Sequence, residues 1–312
     1  MIRQSPHSGY VGRFAPSPTG PLHFGSLLAA VASYLDARCH TGRWLLRIED
    51  IDPPRAEPGA DTEIIRGLEA YGFEWDGDVY YQSDRIDAHR SIVRQLLANG
   101  SAYRCGCSRQ DLADCPRGPL GIIYPGRCRA GSEAPETAIR LRTDSRPVDF
   151  TDRLQGPQRQ HLESDSGDFV ILRRDGRIAY QLAVVADDHD QGITEVVRGI
   201  DLIESTPRQI FLQHLLGYPT PAYAHIPVAE NPAGRKLGKS TGARAIPLDE
   251  VRPILVAALG ALGQAPPVDL ADARLDAVWD WAIRHWSIDR LAGRKAVAVP
   301  ANTMAADRNP LS

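Results

Sequence analysis

Between Tyr10 and Ile48 the chain reads strand, proline- and glycine-rich loop, helix, strand, and that order admits few folds. Tyr10 to Phe14 is a short apolar and aromatic run, broken by Pro16, Pro18, Gly20 and Pro21; Leu27, Leu28, Val31 and Leu35 then recur at helical spacing. Trp44 to Ile48 follows as a second strand. Two strands joined through a helix pair in parallel, with the loop at the carboxyl edge of the first strand, where such sheets bind ligands. The predicted class is α/β, a Rossmann-like nucleotide-binding domain with a parallel sheet.

A chain of 312 residues allows about two domains, or one with a large insertion. With 43% hydrophobic and 24% charged residues it belongs with globular proteins and not with disordered ones. No stretch approaches the ~18 consecutive apolar residues of a membrane helix, and Met1 to Tyr10 is polar, so no membrane partner and a cytoplasmic setting are expected. A net charge of −3 gives no overall basic field, so a nucleic acid would have to be met by a local patch. Of five cysteines, Cys105, Cys107, Cys115 and Cys128 cluster together, a pattern that suits metal better than disulfides.

Helices are predicted over 61–71, stopped by Gly72, and over 84–98, stopped by Gly100. From 101 to 167 the pattern breaks into short strands, turns and the cysteines, as an inserted subdomain would. Phe169 to Leu172 and Ile178 to Tyr180 flank Asp175 and Gly176 as a hairpin, and Thr194 to Val197 is a further strand. In the helix that follows, Thr206 is placed to cap, Pro207 suits the first turn and Gly217 closes it. A strand near 223–228 precedes the loop 235–241. Beyond it the stripe Leu275, Val278, Trp279, Ala282 and Trp286 reads as core, and the cation-rich tail after Arg284 as a solvated end. Cys39, in the first helix, reads as a small buried hydrophobe.

Two segments carry chemistry. In PSPTGPLHFGS, Pro16 to Ser26, backbone N–H groups and the positive end of the following helix can face an anion, while Gly20 and Gly25 permit close approach; phosphate is the natural ligand. The loop is neither a Walker loop nor a GxGxxG fingerprint. In RKLGKS, Arg235 to Ser240, three cations in five residues repel one another unless a polyanion gathers them.

Together these segments resemble the HIGH and KMSKS motifs of class I aminoacyl-tRNA synthetases in their glutamyl form. RFAPS at 13–17, RIEDID at 47–52, YQSDR at 81–85, DRLQG at 152–156 and VVRGIDLIEST at 196–206 match the same branch in order, over roughly 9–241. That family continues past its second motif into a helical anticodon-binding region of roughly 100–150 residues, whereas only 241–312 remain here. The short form resembles the truncated glutamyl-queuosine branch, which activates glutamate without tRNA and esterifies it to the queuosine base of tRNA(Asp).

The resemblance implies roles. His23 and Lys239 are catalytic; Pro16, His23, Gly25, Lys236 and Lys239 bind ATP, whose Mg²⁺ is held mostly by phosphate and water. Arg13 and Arg198 grip the carboxylates of L-glutamate, Glu49 pairs its ammonium, and Ser17 and Tyr180 add hydroxyl bonds. For one structural Zn²⁺ per chain, the branch pattern of CxC followed by YxxxC selects Cys105, Cys107, Tyr124 and Cys128, whereas counting thiols selects Cys115 as the fourth ligand. The expected organisation is 1–100 and 168–241 as halves of the catalytic domain, 101–167 as the zinc-containing acceptor-type insertion, and 242–312 as a short helical region with no anticodon-binding domain. A monomer is the default expectation. Two other readings stay open: a truncated glutamyl-tRNA synthetase charging a tRNA 3′ end, and a zinc-containing tRNA-binding protein with a vestigial nucleotide site.

Overall fold

The structure, a computed structural model, describes residues 9–118, 120–231, 234, 236–237 and 244–299. Strand β1 (Val11–Phe14) pairs in parallel with β2 (Arg43–Ile48), Gly12 opposite Trp44 and Phe14 opposite Leu46. Helix α1 (Phe24–Cys39) makes the crossover, and β2 pairs in turn with the short β3 (Tyr80–Tyr81). Helix α1 is buried along most of its length because the sheet covers one side and the C-terminal helices the other. Its last residue, Cys39, is exposed, contrary to the sequence reading, because the helix end projects beyond that sandwich. Helices α2 (Ala60–Ala70) and α3 (Ile86–Ala98) follow as predicted, apart from a 3-10 turn at Gln82–Arg85.

The irregular middle contains β4 (Ala102–Cys105), β5 (Arg117–Gly118), β6 (Gly121–Ile122), β7 (Ala138–Leu141), β8 (Val148–Asp152), β9 (Gly156–Gln160), the short α4 (Leu162–Asp165) and β10 (Val170–Leu172). Strand β7 lies between β4 and β10 in an antiparallel sheet, so the third strand comes from just past residue 167; β8 and β9 form a hairpin. After β10 the chain turns at Gly176, φ 78°, and Ile178 returns to bridge Leu172. Tyr180 does not extend that strand. It opens α5 (Tyr180–Asp190), whose run from Gln181 to Asp188 is buried on all sides and so shows no amphipathic period.

A second parallel pair, β11 (Glu195–Gly199) and β12 (Ala222–Ile226), sets Arg198 opposite His225. Its crossover helix α6 (Thr206–Leu216) ends at Gly217 with φ 70°, as the sequence predicts. Thr206 is the first helical residue and does not cap; its hydroxyl serves Arg198 instead. The two parallel units abut where Thr194 N–H donates to Val11 C=O at 2.9 Å. Strand β13 (Val228–Glu230) pairs in parallel with β14 (Ala296–Ala298), and α7 (Val251–Ala261) and α8 (Leu275–His285) pack on α1. The stripe of α8 is core: Val278, Trp279 and Ala282 are buried, and Trp279 meets Tyr34 and Phe73 edge-on at 4.9 and 5.0 Å between centroids. Among the described residues no helix is long and apolar enough to cross a membrane.

Candidate active site

Between β1 and α1 the loop delivers His23 to the N-cap of α1, where its Nδ1 accepts from Ser26 N–H at 3.2 Å. A Cβ at Gly25 would lie 3.1 Å from the His23 ring and 3.5 Å from Leu237 C=O, so a larger residue would crowd His23 where the first loop meets the second. Pro16, His23, Gly25 and Lys236 line one cleft of about 650 Å³, together with Gly199 and Asp201 at the end of β11. Lys236 donates to Asp201 at 2.7 Å. The cleft thus sits at the carboxyl edge of parallel strands and faces a helix N-terminus, the setting in which a polyphosphate is held. Lys239 lies outside the described residues.

Next to the cleft, and sharing Ser17 and Thr19 with it, is a cavity of about 190 Å³ lined by Glu49, Gln82 and Tyr180. Arg55, Arg173 and Arg177 line it as well, whereas Arg13, Arg47 and Arg198 are not among its lining residues. From β1, Arg13 donates to Asp188 of α5 at 3.1 and 3.4 Å. From β2, Arg47 donates to the same Asp188 at 2.7 Å and lies 3.4 Å from Glu49. Burial pushes the Asp188 carboxyl up, but the two guanidinium groups outweigh it and hold it below the usual carboxylate range. For Glu49 burial wins over Arg47 and Arg13, and its pKa is raised.

Arg198, from β11, is surrounded differently. Its Nη2 donates to Thr206 Oγ1 and Gln209 Oε1, both at 2.8 Å; its Nε donates to His225 Nε2 at 3.1 Å; its Nη1 lies 3.5 Å from the Tyr180 hydroxyl. Every partner is neutral in side-chain type or, for His225, driven toward neutrality by burial. Of the five residues assigned to glutamate, Ser17, Glu49 and Tyr180 thus line one cavity. Arg13 and Arg198 each bear on Tyr180, whose pKa burial raises and the Arg198 charge opposes. Sequence reasoning missed Arg47, Asp188, Thr206, Gln209 and His225. The doublet Asp187-Asp188 inside an apolar run was the available signal for one of them.

In the insertion, the sulfurs of Cys105, Cys107 and Cys128 lie within 4.8 Å of one another. The Tyr124 hydroxyl joins them, 3.2 Å from Cys105 Sγ and 3.7 Å from Cys107 Sγ. Cys115 is buried in the same small apolar cluster but outside this group, so the geometry favours Tyr124 as fourth donor. Three sulfurs and one oxygen fit a closed tetrahedral metal. Arg140 donates to Cys105 Sγ at 3.3 Å and lies 3.9 Å over the Tyr124 ring, which favours anionic ligands. Burial pushes the Cys128 thiol up, yet hydrogen bonds from Tyr124, Gly106 and Cys107 bring it down to about 7.

Comparisons with known proteins place the chain in a family. The family model described as tRNA synthetases class I (E and Q), catalytic domain, matches residues 10–121 and 123–254. A glutamyl-Q tRNA(Asp) synthetase of Pseudomonas fluorescens is 54% identical over 283 residues, covering 90% of this chain and 93% of the relative. One of Dechloromonas aromatica is 53% identical over 300 residues, covering 95% and 100%. Among solved structures, the glutamate tRNA ligase of Elizabethkingia meningosepticum in complex with its amino acid superposes with a TM-score of 0.77 at 23% identity, over 95% of this chain and 68% of that one, and so shares the fold. The chain belongs to the class I (E and Q) tRNA synthetases and, within them, to the glutamyl-Q tRNA(Asp) synthetase family.

Proposed function

We propose that the chain activates L-glutamate with ATP, without tRNA, and transfers the glutamyl group to the queuosine base of tRNA(Asp). The observation that carries the substrate assignment is Arg198. A guanidinium 6% exposed, with no carboxylate among its hydrogen-bond partners, is costly by several kcal/mol. A substrate carboxylate entering beside Tyr180 supplies the missing charge. Arg13 takes the other carboxylate, Glu49 the ammonium, and Ser17 and Tyr180 the remaining hydrogen bonds. The names of relatives more than half identical support the acceptor.

In the first step a glutamate α-carboxylate oxygen attacks the α-phosphorus of ATP, and the bond to the bridging oxygen breaks as pyrophosphate leaves. His23 and the N-terminus of α1 hold the phosphates; Lys236 and Lys239 neutralise charge growing on the leaving group. In the second step a queuosine hydroxyl attacks the acyl carbon, loses its proton, and AMP departs with the electrons of the broken C–O bond. Mg²⁺ arrives with ATP. Cys105, Cys107, Tyr124 and Cys128 would hold Zn²⁺, which supplies cross-linking of the insertion and no open position for water. We read 1–100 and 168–241 as the catalytic halves, 101–167 as the insertion and 242–312 as the helical C-terminal region. Five cysteines without a disulfide support a cytoplasmic setting.

The deciding assay is ATP–pyrophosphate exchange without tRNA, run with glutamate, glutamine and aspartate side by side. Exchange with glutamate alone is expected. Exchange that requires tRNA would favour charging of a 3′ end, and no exchange a vestigial site. Equal charging of tRNA(Asp) with and without queuosine would defeat the acceptor assignment.

A further inference from the structure

Asp152 opens the DRLQG segment, which neither the ATP cleft nor the glutamate cavity uses. It ends β8 and is buried, 1% exposed. One carboxylate oxygen, Oδ1, accepts from three backbone N–H groups: Leu154 at 3.0 Å, Gln155 at 2.9 Å and His225 at 3.2 Å. The other, Oδ2, lies 2.6 Å from His225 Nδ1. His225 is also fully buried, and its second ring nitrogen, Nε2, lies 3.1 Å from Arg198 Nε. Arg198 and His225 are direct cross-strand partners in the β11–β12 pair, so the strand register itself puts the imidazole behind the guanidinium.

Donor and acceptor bookkeeping fixes the proton. His225 Nε2 has two neighbours, Arg198 Nε at 3.1 Å and the Thr206 hydroxyl at 3.2 Å; the guanidinium can only donate and the hydroxyl can donate as well, so both are met when Nε2 carries the lone pair and the ring hydrogen sits on Nδ1, where an ionised carboxylate accepts it. A doubly protonated ring would set a second cation 3.1 Å from Arg198; burial and the Arg198 charge both oppose that form, while Asp152 favours it. With Nε held by His225 and Nη2 by Thr206 and Gln209, the guanidinium cannot rotate, and its Nη1 edge is left turned toward Tyr180.

We propose that Asp152 and His225 are positioning residues for glutamate: Asp152 locks His225 in the Nδ1–H tautomer, and His225 then holds Arg198 with its Nη1 edge toward the substrate carboxylate. The proposal rests on the reading that Arg198 binds glutamate.

Asp152→Asn tests it at nearly constant volume. Three backbone donors keep the amide oxygen at the Oδ1 position, so the amide nitrogen faces His225 Nδ1 and forces the proton to Nε2, against the Arg198 N–H. In exchange assays the glutamate KM should rise about ten-fold or more while the ATP KM stays within about two-fold, the split expected when a wrong tautomer misplaces a binding group. His225→Gln, which can return a carbonyl acceptor toward Arg198, should lose less than His225→Leu. In the wild-type chain, ¹⁵N NMR of labelled histidine should show His225 protonated at Nδ1 alone, and this readout does not depend on any variant folding. A wild-type proton on Nε2 overturns the proposal, as does a glutamate KM in Asp152→Asn within about two-fold of wild type. Arg198→Ala separates the failures: if it leaves the glutamate KM unchanged, the substrate reading has fallen; if it raises KM and Asp152→Asn does not, the positioning role has.

Discussion

On the β1 side of the cavity proposed for glutamate the arginines bond a carboxylate directly, while on the β11 side Arg198 bonds only dipoles and the nearest carboxylate in its network, Asp152, stands behind His225. Arg13 and Arg198 are almost equally buried, 4% and 6% exposed, so access to water does not explain the difference. Arg13 shares Asp188 with Arg47 and would be satisfied in an empty enzyme. Arg198 has Thr206, Gln209 and His225, which orient a cation without neutralising it. The first wall thus carries its balancing charge whether or not a ligand is bound, and on the proposed reading the second is completed by its ligand. Removing a charge should therefore have opposite consequences on the two sides.

The largest effect is expected from Arg198→Ala. Losing a buried, hydrogen-bonded partner of a substrate carboxylate typically costs 2–5 kcal/mol, so the glutamate KM should rise about a hundred-fold. The melting temperature should change little, since removing a buried cation that bonds no carboxylate directly is offset by the acceptors it leaves bare on Gln209 and His225. A fall of several degrees would mean that the β11 wall is structural as well, and the contrast would break.

Asp188→Asn should do the reverse. It leaves Arg13 and Arg47 buried beside a neutral amide, a loss of roughly 3–5 kcal/mol by the usual cost of breaking a buried pair. At about 2–4 °C per kcal/mol the melting temperature should drop by about 10 °C. If Asp188→Asn instead raised the glutamate KM with no change in melting, Asp188 would belong with substrate recognition.

A smaller effect on catalysis is expected at the cysteine cluster, which lies in a separate small apolar group away from both walls. Stripping metal with a chelator should loosen the segment around 105–128, measured as faster amide exchange there. Glutamate-dependent exchange of pyrophosphate should fall by no more than about two-fold, as expected for a closed structural site. Cys128→Ser should lower bound metal and Cys115→Ser should not. Loss of metal from the Cys115 variant would restore the four-thiolate alternative.

What the sequence made legible follows the same division. The strand–loop–helix unit was readable because proline, glycine and a helical leucine spacing all mark one boundary, and the loop at 16–26 lies where that pattern puts it. The residues proposed to meet substrate stand mostly in such marked segments. Residues behind them do not: α5 is apolar all round, so its period vanishes and Asp188 looks like part of a surface acidic pair. Thr206 has the composition of a cap and is used instead as an acceptor for Arg198. His225 is one alternating residue in a short strand, and only the register with β11 reveals its partner. Motif and thiol count leave Tyr124 and Cys115 as alternatives, and distance separates them although both are buried in one cluster.

Acid should separate the two walls by their titrations, and this is the smallest effect. Asp188 has its folded pKa depressed by Arg13 and Arg47 against burial, so its contribution is present above the unfolded value of about 3.9 and is lost only as pH falls through the still lower folded value. His225 has its folded pKa lowered by burial, so below the unfolded value of about 6.5 the unfolded chain binds a proton that the folded chain refuses, and stability declines from there downward. The β11 wall should therefore weaken first. One such site gives a slope of at most about 1.4 kcal/mol per pH unit, readable as melting temperature between pH 7.5 and 5. His225→Gln should flatten that slope and Asp188→Asn should leave it, because Asp188 stays ionised throughout the window. An unchanged slope in His225→Gln would place the acid sensitivity elsewhere and remove the titration difference between the walls, leaving only the difference in counter-charge to distinguish them.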